Sequence, residues 1–157
     1  MSFQISGLPL ADFAPLFDLP DAELARRGIV RRIAVKGPAA RFPCRVSLRD
    51  VESGVPVLLL NYEHLPTPGP YRSRYAIYVS ERATEARLAV NEIPEVMRNR
   101  PLALRAFDRD GTLLEAELAE GGGVAATIER LLASPNVEFL HAHNAKAGCY
   151  AARVRRA

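Results

Sequence analysis

The side chains of this chain best suited to bind a metal, or to exchange protons near neutral pH, fall in two short blocks. The first block spans residues 43–64 and reads PCRVSLRDVESGVPVLLLNYEH. The second spans residues 139–154 and reads FLHAHNAKAGCYAARV. Together they contain every histidine and cysteine of the chain: Cys44, His64, His141, His143 and Cys149. Imidazole and thiolate groups are the usual ligands of zinc, so the two blocks are the candidate site.

The most specific local pattern is His141-Ala142-His143. On a strand, residues two apart point to the same side, with Cα atoms about 7 Å apart, so both imidazoles could converge on one metal or one anion. Cys149 could join them if the chain folds back, and Cys44 or His64 would complete four ligands suited to zinc. The spacing matches no established zinc motif. The alternative is that the histidines hold a loop by hydrogen bonds and the cysteines are small core residues.

The cysteines could also act as nucleophiles. A nucleophilic cysteine needs a lowered pKa and a neighbouring base, usually histidine, so either one qualifies only if the two blocks meet in space. Cys44 shares its predicted strand face with Val46 and Leu48, which favours burial and an inert thiol. Cys149 lies on a more open predicted face.

Three further polar residues complete the candidate set. Arg45 could bind a carboxylate or phosphate through its guanidinium fork, or cover apolar surface with its stem. Tyr62 ends a buried strand, a position typical of a cleft mouth. Asn144 is either a turn residue or a ligand contact. The candidate ligand-binding residues are therefore His141, His143, Asn144, Cys149, Cys44, Arg45, Tyr62 and His64, with His141, His143 and Cys149 as the metal ligands if a metal binds.

Hydrophobic periodicity and turn residues predict many short elements. The predicted strands are 3–6, 29–36, 44–48, 57–62, 74–80, 102–107, 112–118, 137–143 and 148–155, and the predicted helical segments are 12–17, 20–27, 93–99 and 124–133. Strand 44–48 is expected to form a hairpin with 57–62, and strand 137–143 one with 148–154. Strands and helices do not alternate regularly, so we expect an α+β fold: a single domain over residues 1–157, with a largely antiparallel sheet and two or three short helices.

Composition excludes several classes of function. No window approaches the about 20 apolar residues of a membrane span, and the N-terminus lacks the pattern of a signal peptide, so a cytoplasmic location with free thiols is expected. The formal charge is +3, carried mostly by arginines spread along the chain, and tryptophan is absent. A nucleic-acid-binding protein would more often cluster its basic residues and interleave aromatic ones, so nucleic acid is not an expected partner.

The two blocks also carry a resemblance to a known family. The pairing of PCRVSLRDVESGVPVLLLNYEH with HAHNAKAGCYAARV resembles the DUF1203 family of uncharacterised bacterial proteins, and the similarity extends from FQISGLP to the final arginines. The resemblance implies a single-domain bacterial protein. It implies no activity, because none is assigned to the family.

Two functional hypotheses follow. The first is a domain that binds a small molecule or a metal, zinc being the candidate cofactor, with catalysis left open. The second is a non-catalytic protein-interaction module whose histidine and cysteine cluster is structural. The first predicts His141 or His143 open in a concave pocket, whereas the second buries both with backbone partners. Both blocks are expected to lie side by side in the sheet.

Overall fold

The α+β class is confirmed. A computed structural model of the protein describes residues 1–37 and 41–157. The strands are β1 (Phe3–Ser6), β2 (Val30–Ile33), β3 (Pro56–Leu65), β4 (Ser73–Ser80), β5 (Leu102–Phe107), β6 (Leu113–Ala119), β7 (Phe139–Asn144) and β8 (Tyr150–Arg156). The helices are α1 (Ala14–Phe17), α2 (Asp21–Arg26), α3 (Glu95–Arg98) and α4 (Gly123–Leu132), and a 3-10 turn at Leu10–Asp12 precedes α1. Each helical segment predicted from the sequence overlaps one of these helices.

The strands form two antiparallel sheets. The larger sheet has the order β1-β8-β7-β5-β6, and the smaller has the order β2-β3-β4. The two candidate blocks therefore belong to different sheets, and the expectation that they lie side by side in one sheet is wrong. They meet where the end of β3 packs on the larger sheet, because Leu65 of β3 shares a small apolar cluster with Phe107 and Phe139.

Helix α4 covers the opposite face of the larger sheet. Val124, Ile128, Leu131 and Leu132 recur at helical spacing and are all buried in the main core. They pack in the same apolar cluster as Leu140 and the other sheet residues that point to this side. No helix in the described part of the chain is long and apolar enough to cross a bilayer. The helix side holds the main core, and the histidine side faces the smaller sheet, which has a buried apolar cluster of its own.

The predicted strand over 44–48 and its hairpin with 57–62 are wrong. The Leu48 amide donates to the Cys44 carbonyl at 3.0 Å, and Leu48 has a φ of 54°, so this segment is a turn. Cys44 forms only an isolated parallel bridge, to Tyr78 of β4. Arg45, predicted to point away from Cys44, is as buried as its neighbours. Alternation failed here because Arg45 is buried together with Cys44, Val46 and Leu48, so the alternating polar positions do not mark a solvent face.

The C-terminal hairpin is confirmed. Strands β7 and β8 pair antiparallel, with Leu140 opposite Val154 and His141 opposite Arg153. The Gly148 amide donates to the Asn144 carbonyl at 2.7 Å, and the φ of Gly148 is 77°. Glycine adopts this left-handed conformation without a steric cost, which lets the chain re-enter the sheet after a short loop.

Candidate functional site

The three histidines of the chain converge at one point. His64, His141 and His143 each offer a ring nitrogen, and these three atoms lie within 4.8 Å of one another. The ring centroid of His64 lies 5.8 Å from that of His141 and 5.0 Å from that of His143. Three imidazole nitrogens at this separation can bind one ion. The third member of the cluster is His64 rather than Cys149.

Local structure explains the convergence. His141 and His143 are two residues apart on β7, so they share one face of the larger sheet. His64 lies near the end of β3, where the pairing with β4 shifts register between Tyr62 and Leu65. The ring of Tyr150 stacks on that of His64 at 5.2 Å and meets the His141 ring edge-on at 5.0 Å. Tyr150 thereby fixes both rings.

Burial keeps the cluster neutral. It lowers the pKa of His141 to about 2, and repulsion between a protonated His141 and a protonated His143 or His64 lowers that pKa further. Burial also lowers the pKa of His143 to about 4, against the bond to Gly148, which favours the charged ring. The pKa of His64 is lowered by burial first and by Arg105 second. Neutral imidazole is the form that binds metals, because it presents a lone pair.

The hydrogen bonds of the rings are incomplete. Nδ1 of His143 lies 2.9 Å from the carbonyl oxygen of Gly148. A carbonyl only accepts, so Nδ1 carries the proton and the Nε2 lone pair is available. Nδ1 of His64 and Nδ1 of His141 are buried without a hydrogen-bond partner among the described residues. His141 and His143 are 1% and 2% exposed, so neither opens to solvent. A purely structural role predicts a backbone hydrogen bond for both rings, and only His143 has one.

Two arginines flank His141 on its neighbouring strands. Arg105 of β5 pairs with His141 across one side, and Arg153 of β8 pairs with it across the other. Residues directly opposite each other in an antiparallel pair share a face, so the three side chains form a row. The Arg153 guanidinium lies 3.9 Å from the centroid of the Phe139 ring, and its Nε is buried without a partner in the described part of the chain. The surroundings of the histidines are thus positive.

Three of the remaining candidates, Arg45, Asn144 and Cys149, form a second, separate group. Arg45 donates to the Tyr150 carbonyl at 2.7 Å, to the Pro43 carbonyl, and to Sγ of Cys149 at 3.1 Å. Asn144 also donates to Sγ of Cys149, at 3.2 Å. Burial lowers the pKa of Arg45. Both cysteines are free, and Arg45 ties the first block to the C-terminal hairpin.

Cys44 and Tyr62 make contacts that stabilise the fold. Cys44 is buried and accepts a hydrogen bond from the Ser80 amide at 3.3 Å, as expected for an inert thiol. Tyr62 packs on the ring of Phe13 at 5.5 Å and donates to a carboxylate oxygen of Asp12 at 3.4 Å. Neither belongs to the histidine cluster.

Two cavities lie away from the histidines. A cavity of about 10 Å³ is bordered by Cys44, Arg45 and Asn144, room for about one water molecule. An open groove of about 1210 Å³ lies elsewhere and none of the predicted site residues lines it. Its walls mix acidic and basic side chains, among them Glu85 and Arg87, so it offers no dominant charge to a ligand.

Sequence reasoning missed three residues beside the cluster: Tyr150, Arg105 and Arg153. Tyr150 adjoins Cys149 in the second block, but tyrosine is common on strands and therefore gives no signal of a site. Arg105 lies outside both blocks, and only the pairing register of β5 with β7 brings it next to His141. The sequence offered no signal for that register.

Comparison with known proteins agrees with the sequence blocks. The family model described as "Protein of unknown function (DUF1203)" matches residues 41–156, which include all the candidate residues. Searches of curated proteins and of solved structures each found no match. The family match covers well over half of the chain, so the protein belongs to the DUF1203 family.

Proposed function

We propose that this protein binds one divalent transition metal, zinc first, through His64, His141 and His143. The observation that carries the proposal is the convergence of three ring nitrogens within 4.8 Å. Three histidines that leave a fourth position for water or substrate are a ligand set of catalytic zinc, whereas structural sites fill all four positions with protein ligands. The site is therefore suited to metal-assisted chemistry.

Protonation and burial support a metal more than an all-protein network. Each ring is held neutral, as metal ligation requires. The Gly148 carbonyl fixes the tautomer of His143, the role that an outer partner plays for metal-bound histidines. Two buried ring nitrogens without partners, on His64 and His141, are costly to leave unsatisfied, and a bound ion removes part of that cost.

Zinc binding requires only a small movement of the three histidine rings. A tetrahedral zinc with Zn–N bonds of about 2.0–2.1 Å holds its ligand nitrogens about 3.4 Å apart. The three rings thus need to close from at most 4.8 Å. Side-chain rotation of His64, the half-buried member at the end of β3, supplies this movement most easily.

Metal stoichiometry tests the proposal. Chelator-treated protein is dialysed against zinc or cobalt, and the bound metal is measured by elemental analysis and by calorimetric titration. We expect one metal per chain. His64→Ala should lower the metal affinity by more than the about 10–100-fold that the loss of an outer hydrogen-bond partner costs. Cys149→Ser and Cys44→Ser are matched controls and should bind normally, and the cobalt spectrum should lack a thiolate charge-transfer band. Wild-type protein that binds no metal, or binding that survives His64→Ala unchanged in a folded variant, rejects the proposal.

The second part of the proposal is the compartment. We infer a cytoplasmic location, because free Cys44 and Cys149 are stable in a reducing environment. Thiol titration of the denatured protein, purified without reductant, should find both. A peptide linked through the two cysteines would contradict this inference.

A further inference from the structure

The charges around the histidine cluster indicate what completes the metal's coordination. The row Arg105–His141–Arg153 crosses three adjacent strands. Among the described residues, no ion pair or side-chain hydrogen bond involves either guanidinium. Arginines close to a metal site with no acidic partner oppose a bare dication, because like charges repel. An anion bound to the metal removes this repulsion.

Arg105 is the better placed of the two for a ligand. It is half-buried on β5, and it is the neighbouring charge that acts on all three histidines. Arg153 has its guanidinium held over the Phe139 ring, with Glu138 as the acid within its electrostatic range. A guanidinium presents two parallel N–H donors that match the two oxygens of a carboxylate.

An apolar strip continues from Arg105 to the edge of the sheet. Ala116 of β6 pairs with Arg105, and Leu118 pairs with Ala103, so these side chains share the histidine face. Leu118 is 72% exposed, the most exposed large apolar residue of the described chain. Two strand spacings, about 9.5 Å, separate His143 from Leu118. A metal-bound carboxylic acid with a short hydrocarbon chain covers that distance.

We propose that the fourth metal ligand is the carboxylate of a small apolar acid, oriented by Arg105, with its hydrocarbon body along Ala116 and Leu118. This inference rests on the proposed metal site. The metal binds one carboxylate oxygen, and Arg105 binds the other. The exposed apolar edge favours a chain over a bare oxyanion such as acetate.

Cobalt-loaded protein provides the test, because the visible spectrum of cobalt reports a change at the fourth position. The probes are sodium hexanoate, sodium acetate and hexanamide, the last a neutral analogue of the same length. Hexanoate should change the spectrum at lower concentration than acetate, and hexanamide should not change it. Arg105→Gln should weaken hexanoate binding about 10–100-fold, while the exposed turn residue control Arg109→Gln leaves it unchanged. Leu118→Ser should weaken hexanoate binding but not acetate binding.

The outcomes separate the two proposals. A protein that takes up no cobalt overturns both. A protein that takes up one cobalt but responds equally to hexanoate and hexanamide, or binds hexanoate equally well in Arg105→Gln, overturns the carboxylate inference and leaves the metal site standing. Equal affinity for acetate and hexanoate, unaffected by Leu118→Ser, overturns the apolar part of the ligand.

Discussion

Acidification should destabilise the metal-free protein well above the range in which carboxylates titrate. His141 and His143 have pKa values of about 2 and about 4 in the folded chain, against 6.5 when exposed. The folded state excludes protons that the unfolded state binds, so their contribution is constant above pH 6.5 and is lost as the pH falls below it. A pH of 5 is about 1.5 units below the pKa of the rings in the unfolded chain, so those rings are protonated, while the rings in the folded chain are still neutral. At about 1.4 kcal/mol per unit, each ring costs about 2 kcal/mol, and the pair about 4 kcal/mol.

Urea denaturation of chelator-treated protein at pH 7, 6 and 5, followed by circular dichroism, measures this loss. His141→Phe removes one titrating ring among existing aromatic neighbours, since the Phe107 and Phe139 rings lie 5.4 and 5.0 Å away. The part of the pH-dependent loss that comes from His141 and His143 should then fall by about half, whatever the variant's stability at pH 7. Carboxylates with a lowered pKa, such as that of Glu63 beside Arg72, begin to contribute only near pH 4.5. A free energy of unfolding that stays flat from pH 7 to 5, or a slope that His141→Phe leaves unchanged, would refute the buried neutral cluster.

Two further predictions concern the hairpin and the thiols. Leu140→Ala should lower the free energy of unfolding by about 2–5 kcal/mol, because Leu140 is fully buried against α4. Leu118→Ala at the exposed edge should change it little. Urea melts of both variants at pH 7 measure the difference, and equal losses would contradict the assigned faces. Iodoacetamide should modify Cys149 in the folded protein faster than the buried Cys44. Peptide mass spectrometry measures both rates, and equal rates would mean that the segment around Cys44 unfolds locally.

Much of the fold was predictable because local signals were strong. The Asp-Gly turn between β5 and β6, the helical spacing of α4 and the glycine that re-enters β8 each place a feature where the structure has it. One failure was the segment 44–48, where alternation predicted a strand and the chain forms a turn. Alternation indicates a strand when the polar positions face solvent together, and here Arg45 is buried with its apolar neighbours.

The candidate site divides in the same way. Residue types and spacing alone put His141 and His143 on one strand face, with Cys149 as the predicted third ligand and Cys44 or His64 as the fourth. Only the tertiary structure decided between His64 and Cys149, because the end of β3 brings an imidazole onto that face while Arg45 and Asn144 hold the Cys149 sulfur.

The sequence by itself determined the class of fold, most element positions and the residues that could bind a metal, since these depend on neighbours close in the chain. The tertiary structure decided the division into two sheets, the meeting of β3 with β7, and the row that sets Arg105 and Arg153 beside His141. Strand register is fixed by packing between residues far apart in the chain, and it moves every side chain to one face or the other. No local pattern carries that information, so the charge around the histidines was visible only in the folded protein.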